Sequence, residues 1–390
     1  MRRILFFHEC FPAGGAERVT ADMARYLTKE NFEIHLIASF LKNTIDCIHG
    51  CEIPSHYTLK NREAWEYIVN YIISWKIDIF ILPITPCYKL LNMVREKTSC
   101  KIVYAHHGMP MYETIAYLSD KSRWSKKKLI NRLIFYTLIY PKVKWLNAYK
   151  NRFLKYYVKT YNICDAFVVL CDGYRKEWEN LFGLSSSNKI RVIPNSERIL
   201  EYVQLKKKKQ ILYSGRMSHE DKRIDRLLKI WREISYKIPE WEFVLVGDGP
   251  SFKELKEMAQ RYKLERISFV GYVSDVSPYY DDASILCLTS DFEGWGLCLT
   301  EAQAHGVVPI AMNCSAGVAS ILSPSGVNGI LIPPGDVKIF AKKLLDLIKD
   351  PIRLETMRLN VLEKAKSYSV DETKMKWVNL FDSLLKSDKS

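Results

Sequence analysis

Two glutamates flank a glycine-rich turn in the stretch SDFEGWGLCLTEA at 290–302. Glu293 precedes Gly294 and Gly296, and Glu301 follows eight residues after Glu293 in an otherwise apolar run. Glycine permits tight turns and close approach of the backbone to a ligand. A helix that begins near Gly296 would offer N–H groups and a positive dipole end to a phosphate. Since carboxylates accept hydrogen bonds from a sugar diol, the stretch predicts a site for a phosphorylated sugar compound.

Glutamates at this spacing also occur at solvated helix ends, so the spacing alone does not identify a ligand site. A phosphate site would contain cations as well. Arg216 directly follows the apolar run QILYSG, and Lys222 lies six residues further on, before an amphipathic run. The arginine fork and the lysine point charge both suit a diphosphate. Their position after a predicted strand favours this role, and the alternative is that they are ordinary members of a set of 58 Lys and Arg.

Strands that alternate with helices must position these residues. The chain opens with an apolar strand, a turn at Gly14 and Gly15, a helix from about residue 16 and a second strand. The alternation continues to a strand at 166–171 and restarts with a strand at 210–216. Strands that are apolar nearly throughout indicate parallel sheets covered on both faces. We therefore predict an α/β fold with two doubly wound, Rossmann-like domains and a ligand cleft at their strand ends.

Six motifs, in order along the chain, resemble glycosyltransferase family 4, the retaining, sugar-nucleotide-dependent enzymes of the GT-B fold. They are GGAERV, CDAFVVLCDGYRKEWENLFGLSSSNKIRVIPNS, YSGRMSHEDKRIDRLL, FVLVGDGPSFKELKEMA, ISFVGYVSD and SDFEGWGLCLTEAQAHGVVPIA. The resemblance covers almost the whole chain. It implies an acceptor-binding domain at 1–200, a nucleotide-sugar-binding domain at 201–368, and a last helix at 369–390 that packs on the first domain.

The resemblance also implies roles for single residues. Arg216 and Lys222 match the family's basic pair on the donor diphosphate, where they would neutralise the leaving nucleotide. Glu293 matches the acidic residue at the donor sugar, and Glu301 matches the one on the ribose hydroxyls. The other matched donor positions are Gly14 and Gly15 in the N-terminal turn, Gly294 and Trp295 beside the sugar-binding glutamate, Gly296 and Leu297 at the pyrophosphate, and Tyr272 and Val273 at the base.

A histidine near the reacting sugar is a further implication of the resemblance. It falls at the end of KIVYAHH, where position favours His106 over His107 and an ordinary buried histidine is the alternative. Two positions depart from the family pattern: Trp295 stands where Phe is usual, and Arg223 where glycine commonly follows the basic residue. Trp295 is therefore expected to influence the donor-sugar pocket.

The predicted reaction moves a glycosyl group from a nucleotide sugar to an acceptor hydroxyl with the anomeric configuration kept. The resemblance favours a UDP-sugar as donor and a lipid-linked glycan of a cell-surface polysaccharide or lipopolysaccharide as acceptor. Charge that develops on the leaving diphosphate requires electrostatic stabilisation, and Arg216, Lys222 and the helix start would supply it. The sequence has no D-x-D in a place that would hold a metal, so neither a metal nor a cofactor is predicted.

A basic segment at 121–160 holds twelve Lys and Arg and no acid, and it carries most of the net charge of +14. Apolar and aromatic residues recur at helical spacing beside these cations, which suits the surface of an anionic membrane. The alternative is that the apolar stripes pack on the N-terminal sheet. The predicted membrane contacts are Lys126, Lys127, Lys128, Arg132, Trp145, Lys150, Arg152 and Lys155.

The composition limits the compartment and the competing functions. No apolar run approaches the roughly 20 residues of a transmembrane helix, and the ten cysteines show no zinc spacing. With no secretory signal at the start, we expect a cytoplasmic protein, peripheral on the inner face of the membrane. A sugar-nucleotide epimerase of the same fold is one alternative. A nucleic-acid-binding protein is the other, although the basic segment carries long apolar stripes and the donor positions are all filled.

Overall fold

The computed structural model describes residues 1–12, 14–43, 45–54, 61–83, 86–125, 128–145 and 147–386. The chain forms two compact units. The first is Met1–Pro194 together with the chain from Thr373 onward, and the second is Asn195–Glu372. Each unit contains one sheet in which every pair of neighbouring strands is parallel.

The sheet of the first unit has seven strands in the order β3-β2-β1-β4-β5-β6-β7. They are β1 (Arg2–Phe11), β2 (Phe32–Leu41), β3 (His49–Glu52), β4 (Ile79–Leu82), β5 (Lys101–Ala105), β6 (Ala166–Val169) and β7 (Ile190–Val192). The central strands β4 and β6 are buried along their whole length. Burial on both faces is what their continuous apolar runs predict.

Helices cover this sheet and extend beyond it. They are α1 (Gly15–Thr28), α2 (Arg62–Ser74), α3 (Tyr88–Lys97), α4 (Tyr112–Ser125), α5 (Leu129–Ile134), α6 (Tyr140–Lys144), α7 (Ala148–Ile163) and α8 (Asp172–Phe182). A π-helical turn, Phe135–Ile139, joins α5 to α6. Pro141 lies in the first turn of α6, directly after that π-helical turn. Because proline has no N–H to donate to the preceding turn, it interrupts the helical hydrogen bonds there.

The second unit has a six-stranded sheet in the order β10-β9-β8-β11-β12-β13. Its strands are β8 (Gln210–Ser214), β9 (Glu242–Val246), β10 (Ile267–Gly271), β11 (Ile285–Leu288), β12 (Val308–Met312) and β13 (Ile330–Ile332). Its helices are α9 (Ile224–Ile234), α10 (Phe252–Arg261), α11 (Ser277–Asp282), α12 (Leu297–Ala304), α13 (Ala316–Leu322), α14 (Val337–Ile348) and α15 (Pro351–Lys366). Both sheets place their first strand in the interior with the order reversing beside it, as in doubly wound folds.

The last helix, α16 (Val370–Lys386), returns to the first unit. The ring of Phe381 packs edge-on against Phe32 with centroids 5.6 Å apart. Lys374 Nζ lies 3.0 Å from Glu30 Oε1, and Arg2 pairs with Asp382. The predicted α/β architecture, with two Rossmann-like domains and a returning C-terminal helix, is confirmed.

Replacing Phe381 tests what holds α16 to the first unit. Phe381 is fully buried, so Phe381→Ala is expected to lower the free energy of unfolding by about 3–5 kcal/mol. Met375 lies on the same helix but is exposed, so Met375→Ala should cost no more than about 0.5 kcal/mol. Urea unfolding followed by tryptophan fluorescence measures both. Equal losses in the two variants would contradict the packing described.

Candidate active site

Two loops of the second unit meet at the carboxyl ends of neighbouring strands. Strand β11 pairs with β8 in parallel, so the loops that follow them lie at one edge of the sheet. The backbone N–H of Asp291 donates to the carbonyl of Asp221 at 2.7 Å. The hydroxyl of Thr289 donates to the carbonyl of Arg223 at 3.0 Å. These bonds connect the loop that carries Lys222 to the loop that carries Glu293.

Lys222 and Glu293 form a direct ion pair in this place. Lys222 Nζ donates to Glu293 Oε1 at 2.6 Å, and the hydroxyl of Ser290 donates to the same oxygen at 2.7 Å. The Lys222 side chain is 20 % exposed and Glu293 is buried. Burial acts to lower the pKa of the Lys222 ammonium, but the adjacent carboxylate outweighs it and the net shift is upward. The pair therefore keeps a cation charged at the strand ends.

Arg216 lies in the same loop and its guanidinium points to solvent. Its Nη2 is 2.5 Å from Asp221 Oδ2, while the Tyr213 hydroxyl donates to its backbone carbonyl at 2.8 Å. Gly247, with φ +125°, supports this loop from behind. A Cβ atom at Gly247 would lie 2.0 Å from the carbonyl oxygen of Gly215, so only glycine fits there. The GDGP stretch is thus a turn that packs against the Arg216 loop.

Arg223, where the family pattern commonly has glycine, adopts the left-handed backbone region with φ +52° and caps α9. A non-glycine residue pays about 1 kcal/mol or more for this conformation. Its guanidinium donates to Asp225 at 3.0 Å and to Asp291 at 2.9 Å. The hydrogen bond to Asp225 raises the pKa of Arg223 above its ordinary value. These ion pairs offset the strain, so the departure leaves the Lys222 loop in place.

The second glutamate of the motif is held inside the unit. Gly296, at φ +91°, caps α12, and the helix begins at Leu297, close to the predicted start. Glu301 is buried and its Oε2 accepts a hydrogen bond from the Tyr280 hydroxyl at 2.7 Å. Tyr280 is itself buried and stacks on His305 with ring centroids 5.3 Å apart. Sequence reasoning missed Tyr280, since no local pattern links it to Glu301, which lies 21 residues further along the chain.

Four other predicted donor positions have different environments. Trp295 is 4 % exposed and packs edge-on against Tyr368 at 6.0 Å. Its indole therefore lies in the core of the unit instead of facing an open pocket. Tyr272 is exposed just beyond β10, Val273 is half-buried, and Gly294 is half-buried in the loop between Glu293 and Trp295.

In the first unit, the predicted glycine turn starts α1. The backbone N–H of Gly14 donates to Glu17 Oε2 at 2.8 Å, and Gly15 is the first residue of the helix. Glu17 also approaches a buried histidine that sequence reasoning missed: His8 Nδ1 lies 3.7 Å from Glu17 Oε1. Burial acts to raise the pKa of Glu17, but the nearby His8 ring and the backbone hydrogen bonds prevail and lower it.

His106 follows β5 directly and is buried, whereas His107 is half-buried. His106 Nε2 lies 3.3 Å from the Tyr157 hydroxyl, which donates to Glu113 Oε1 at 2.6 Å. Because the single hydroxyl hydrogen is used toward Glu113, the imidazole nitrogen serves as the donor to Tyr157. Burial, with a smaller contribution from His107, lowers the pKa of His106 to about 3. His106 is therefore a neutral hydrogen-bonding group.

The basic segment presents apolar side chains to solvent. Leu129 is 85 % exposed and Trp145 is 75 % exposed. We define the apolar surface by these two residues and four further exposed ones, which are Ile130, Leu133, Tyr136 and Leu138. Phe135 and Val143 are buried and anchor the segment. The alternative, that the apolar stripe around Leu129 packs on the sheet, does not hold for these exposed side chains.

The predicted membrane cations have the following positions. Lys126 and Lys127 lie outside the described residues. Lys128, Arg132, Arg152 and Lys155 are exposed, as Trp145 is, and Lys150 is half-buried. Across the described part of the chain, every helix is too short or too polar to cross a membrane. The described residues also contain no group of three or more His, Cys, Asp or Glu side chains arranged to hold a metal ion.

Comparison with known proteins gives matches over most of the chain. Residues 196–367 match the family described as glycosyl transferases group 1, and residues 13–196 match glycosyltransferase family 4. An uncharacterized glycosyltransferase of Haemophilus influenzae is 28 % identical over 95 % of this chain and 96 % of its own. An alpha-1,4-N-acetyl-D-galactosaminyltransferase of Campylobacter jejuni is 24 % identical over 97 % of this chain and 98 % of its own.

A solved structure shares the fold as well. Anabaena HepE in complex with UDP-glucose superposes with a TM-score of 0.74 at 17 % identity, over 98 % of this chain and 100 % of that one. The two Rossmann-like units and these matches together identify a glycosyltransferase of the GT-B class. The chain belongs to the GT-B glycosyltransferases of group 1, and its first half matches glycosyltransferase family 4. The predicted family and fold are confirmed.

The buried state of His106 predicts its behaviour on titration. The ring proton resonance of His106 should not titrate between about pH 5 and about pH 8, the window of an ordinary imidazole. Because the folded-state pKa of about 3 lies below the unfolded value of about 6.5, the stability that His106 contributes is complete above pH 6.5. It is lost as the pH falls toward 3. Proton NMR, with His106→Gln to assign the resonance, measures this, and an inflection near pH 6.5 would contradict the buried neutral ring.

Proposed function

We propose that the protein transfers a glycosyl residue from a UDP-sugar to a hydroxyl of a lipid-linked glycan, with retention of configuration and without a metal ion. The ion pair of Lys222 and Glu293 is the observation that carries the proposal. It places a cation and a carboxylate 2.6 Å apart at the edge of a doubly wound sheet, beside the start of α12. This is the arrangement that a diphosphate joined to a sugar requires, since the phosphates need positive charge and the sugar needs hydrogen-bond acceptors.

In the proposed reaction, the bond between the anomeric carbon and the phosphate oxygen breaks, and its electron pair goes to the leaving UDP. Lys222, Arg216 and the N–H groups at the start of α12 stabilise that negative charge. The acceptor oxygen bonds to the anomeric carbon on the same face, and its proton passes to the departing phosphate oxygen. Glu293 orients the sugar hydroxyls, while Glu301, held by Tyr280, receives the ribose hydroxyls.

The relatives support the choice of donor and acceptor. HepE is described in complex with UDP-glucose. The name of the Campylobacter jejuni relative gives a glycan joined to PP-undecaprenol as its substrate. An undecaprenol-linked substrate resides in a membrane, so an enzyme that uses one needs access to a membrane surface.

The apolar surface is proposed to provide that access by lying on an anionic membrane. Its leucine, isoleucine and aromatic side chains project from short helices that carry exposed Lys128, Arg132, Lys142 and Lys144. Each cation near an anionic bilayer contributes about 1 kcal/mol, and burial of the apolar side chains adds to it. Several large apolar side chains exposed within one short stretch of a chain are characteristic of a contact surface. We further propose that the protein is peripheral on the cytoplasmic face.

A thermal-shift assay tests the donor. At a concentration of 100 times its Kd, UDP-glucose should stabilise the protein by about 2.7 kcal/mol and raise its melting temperature by about 3 °C or more. GDP-mannose and ADP-glucose should give smaller shifts. Lys222→Met removes the phosphate-binding cation while keeping the chain length, so the affinity for UDP-glucose should fall at least about tenfold.

Lys208→Met is the matched control for this assay. Lys208 pairs with Asp282 at 2.8 Å in the same unit, just before the amino end of β8. Its loss should leave the donor-induced shift unchanged. Equal shifts in the parent protein and in Lys222→Met would refute the site. Conversion of the UDP-sugar to an epimer without any acceptor would replace the proposed transfer by epimerisation.

A vesicle assay tests the membrane surface. Leu129→Glu places a negative charge in the apolar surface and should lower partitioning onto phosphatidylglycerol-containing vesicles at least about tenfold, because apolar burial is lost and the charge is repelled. Ile352→Glu makes the same change at an exposed position of α15 in the second unit and should partition like the parent. Cosedimentation measures both. Identical cosedimentation of Leu129→Glu and the parent would rule out this surface.

A further inference from the structure

A row of aromatic rings begins on α4, follows α7 and ends on α3, outside the candidate active site. Tyr117 stacks on Tyr149 with centroids 3.7 Å apart, and Phe153 lies 6.2 Å from Tyr149. Tyr156 follows at 6.3 Å from Phe153, and Tyr88 stacks on Tyr156 at 5.7 Å. All five side chains are half-buried. We call these five residues the aromatic track.

Cations accompany the track along its length. Lys121 Nζ lies 5.5 Å from the centre of the Tyr117 ring, and Lys159 Nζ lies 4.4 Å from that of Tyr88. Arg152 hydrogen-bonds to the Tyr156 hydroxyl and its charge lowers the pKa of that hydroxyl. Partly exposed rings are therefore accompanied by positive charge at both ends of the track and at Tyr156.

A groove of about 600 Å³ continues the track at the Tyr88 end, between α2, α3 and α7. Its lining includes Trp65, Lys89, Asn92, Glu96, Lys159 and Asn162. Lys89 Nζ lies 5.8 Å from the centre of the Trp65 ring. Aromatic walls with a few side-chain amides and charges are the composition of a ligand-binding cleft.

The geometry points to a binding site for an anionic glycan on the track and groove. The apolar faces of sugar rings pack on aromatic side chains, amide groups of Asn92 and Asn162 hydrogen-bond to hydroxyls, and Lys89 and Lys159 pair with carboxylate groups. The inference rests on the proposed function, because it assigns a chemical class to the growing glycan. It places that glycan's contacts on the first unit alone.

Single-stranded nucleic acid also binds by stacking and positive charge, yet two observations favour a glycan. The chain belongs to the glycosyltransferases, so a glycan is the polymer that its activity calls for. In the groove, Glu96 accepts a hydrogen bond from Asn92 at 2.5 Å. A carboxylate there accepts hydrogen bonds from hydroxyls, which every sugar residue of a glycan supplies.

Fluorescence anisotropy with labelled oligosaccharides tests the inference, without donor or vesicles. The parent protein should bind an oligogalacturonide at least about tenfold more tightly than a neutral maltooligosaccharide of equal length. Tyr156→Ala and Lys159→Gln should each weaken oligogalacturonide binding about fivefold or more. Lys159→Gln touches an exposed side chain, so it tests the site even where Tyr156→Ala impairs folding, which the melting temperature reports.

Tyr236→Ala is the matched control. Tyr236 is an exposed tyrosine of the second unit with Lys237 Nζ 5.2 Å from its ring centre. Its loss should leave glycan binding unchanged. The inference is overturned where both track variants bind like the parent, where the two oligosaccharides bind equally, or where an oligothymidylate displaces the oligogalacturonide at lower concentration. The donor-induced melting shift of the parent is measured separately, so failure of the donor site is distinguished from failure of the track.

Discussion

A largely buried ammonium needs a carboxylate beside it to remain charged, and the second unit is arranged around that requirement at Lys222. Glu293 is that carboxylate, and its Oε1 accepts hydrogen bonds from both the Lys222 ammonium and the Ser290 hydroxyl. Both loops depend on the parallel pairing of their strands, which brings their carboxyl ends to one edge. Gly247 supports the arrangement from behind, because any side chain there would collide with the neighbouring loop. A charge kept in low-dielectric surroundings acts strongly on an anionic ligand.

In the first unit, by contrast, a buried ionisable group is held neutral. His106 is buried with Tyr157 and Glu113, and burial holds its imidazole neutral. The positive charge of this unit is instead carried on the surface of α5, α6 and α7, beside exposed apolar and aromatic side chains. The proposed division of labour follows: the second unit stabilises a leaving diphosphate, and the first offers basic surfaces for a membrane and a glycan.

Much of this arrangement was predictable because the signals are local. Alternating strands and helices gave the two sheets, and the glycine cap at Gly296 marked the start of α12 within one residue. The resemblance placed Trp295 beside the donor sugar, and only the structure shows that its side chain packs in the core against Tyr368; its influence on the donor stays a prediction. The apolar stripe around Leu129 could be assigned to a helix, but its exposure could not, since periodicity identifies a face without saying what covers it.

By itself, the sequence determined the element types, the family, and the strand ends at which Arg216, Lys222 and Glu293 occur. These depend on hydrophobic period, turn residues and short motifs, all of which act over a few positions. Only the tertiary structure decided that Lys222 contacts Glu293 across 71 residues, or that Tyr157 joins His106 to Glu113. The reason is physical: a hydrogen bond or ion pair between distant positions forms only where packing brings the atoms within about 3 Å, and no local pattern encodes that distance.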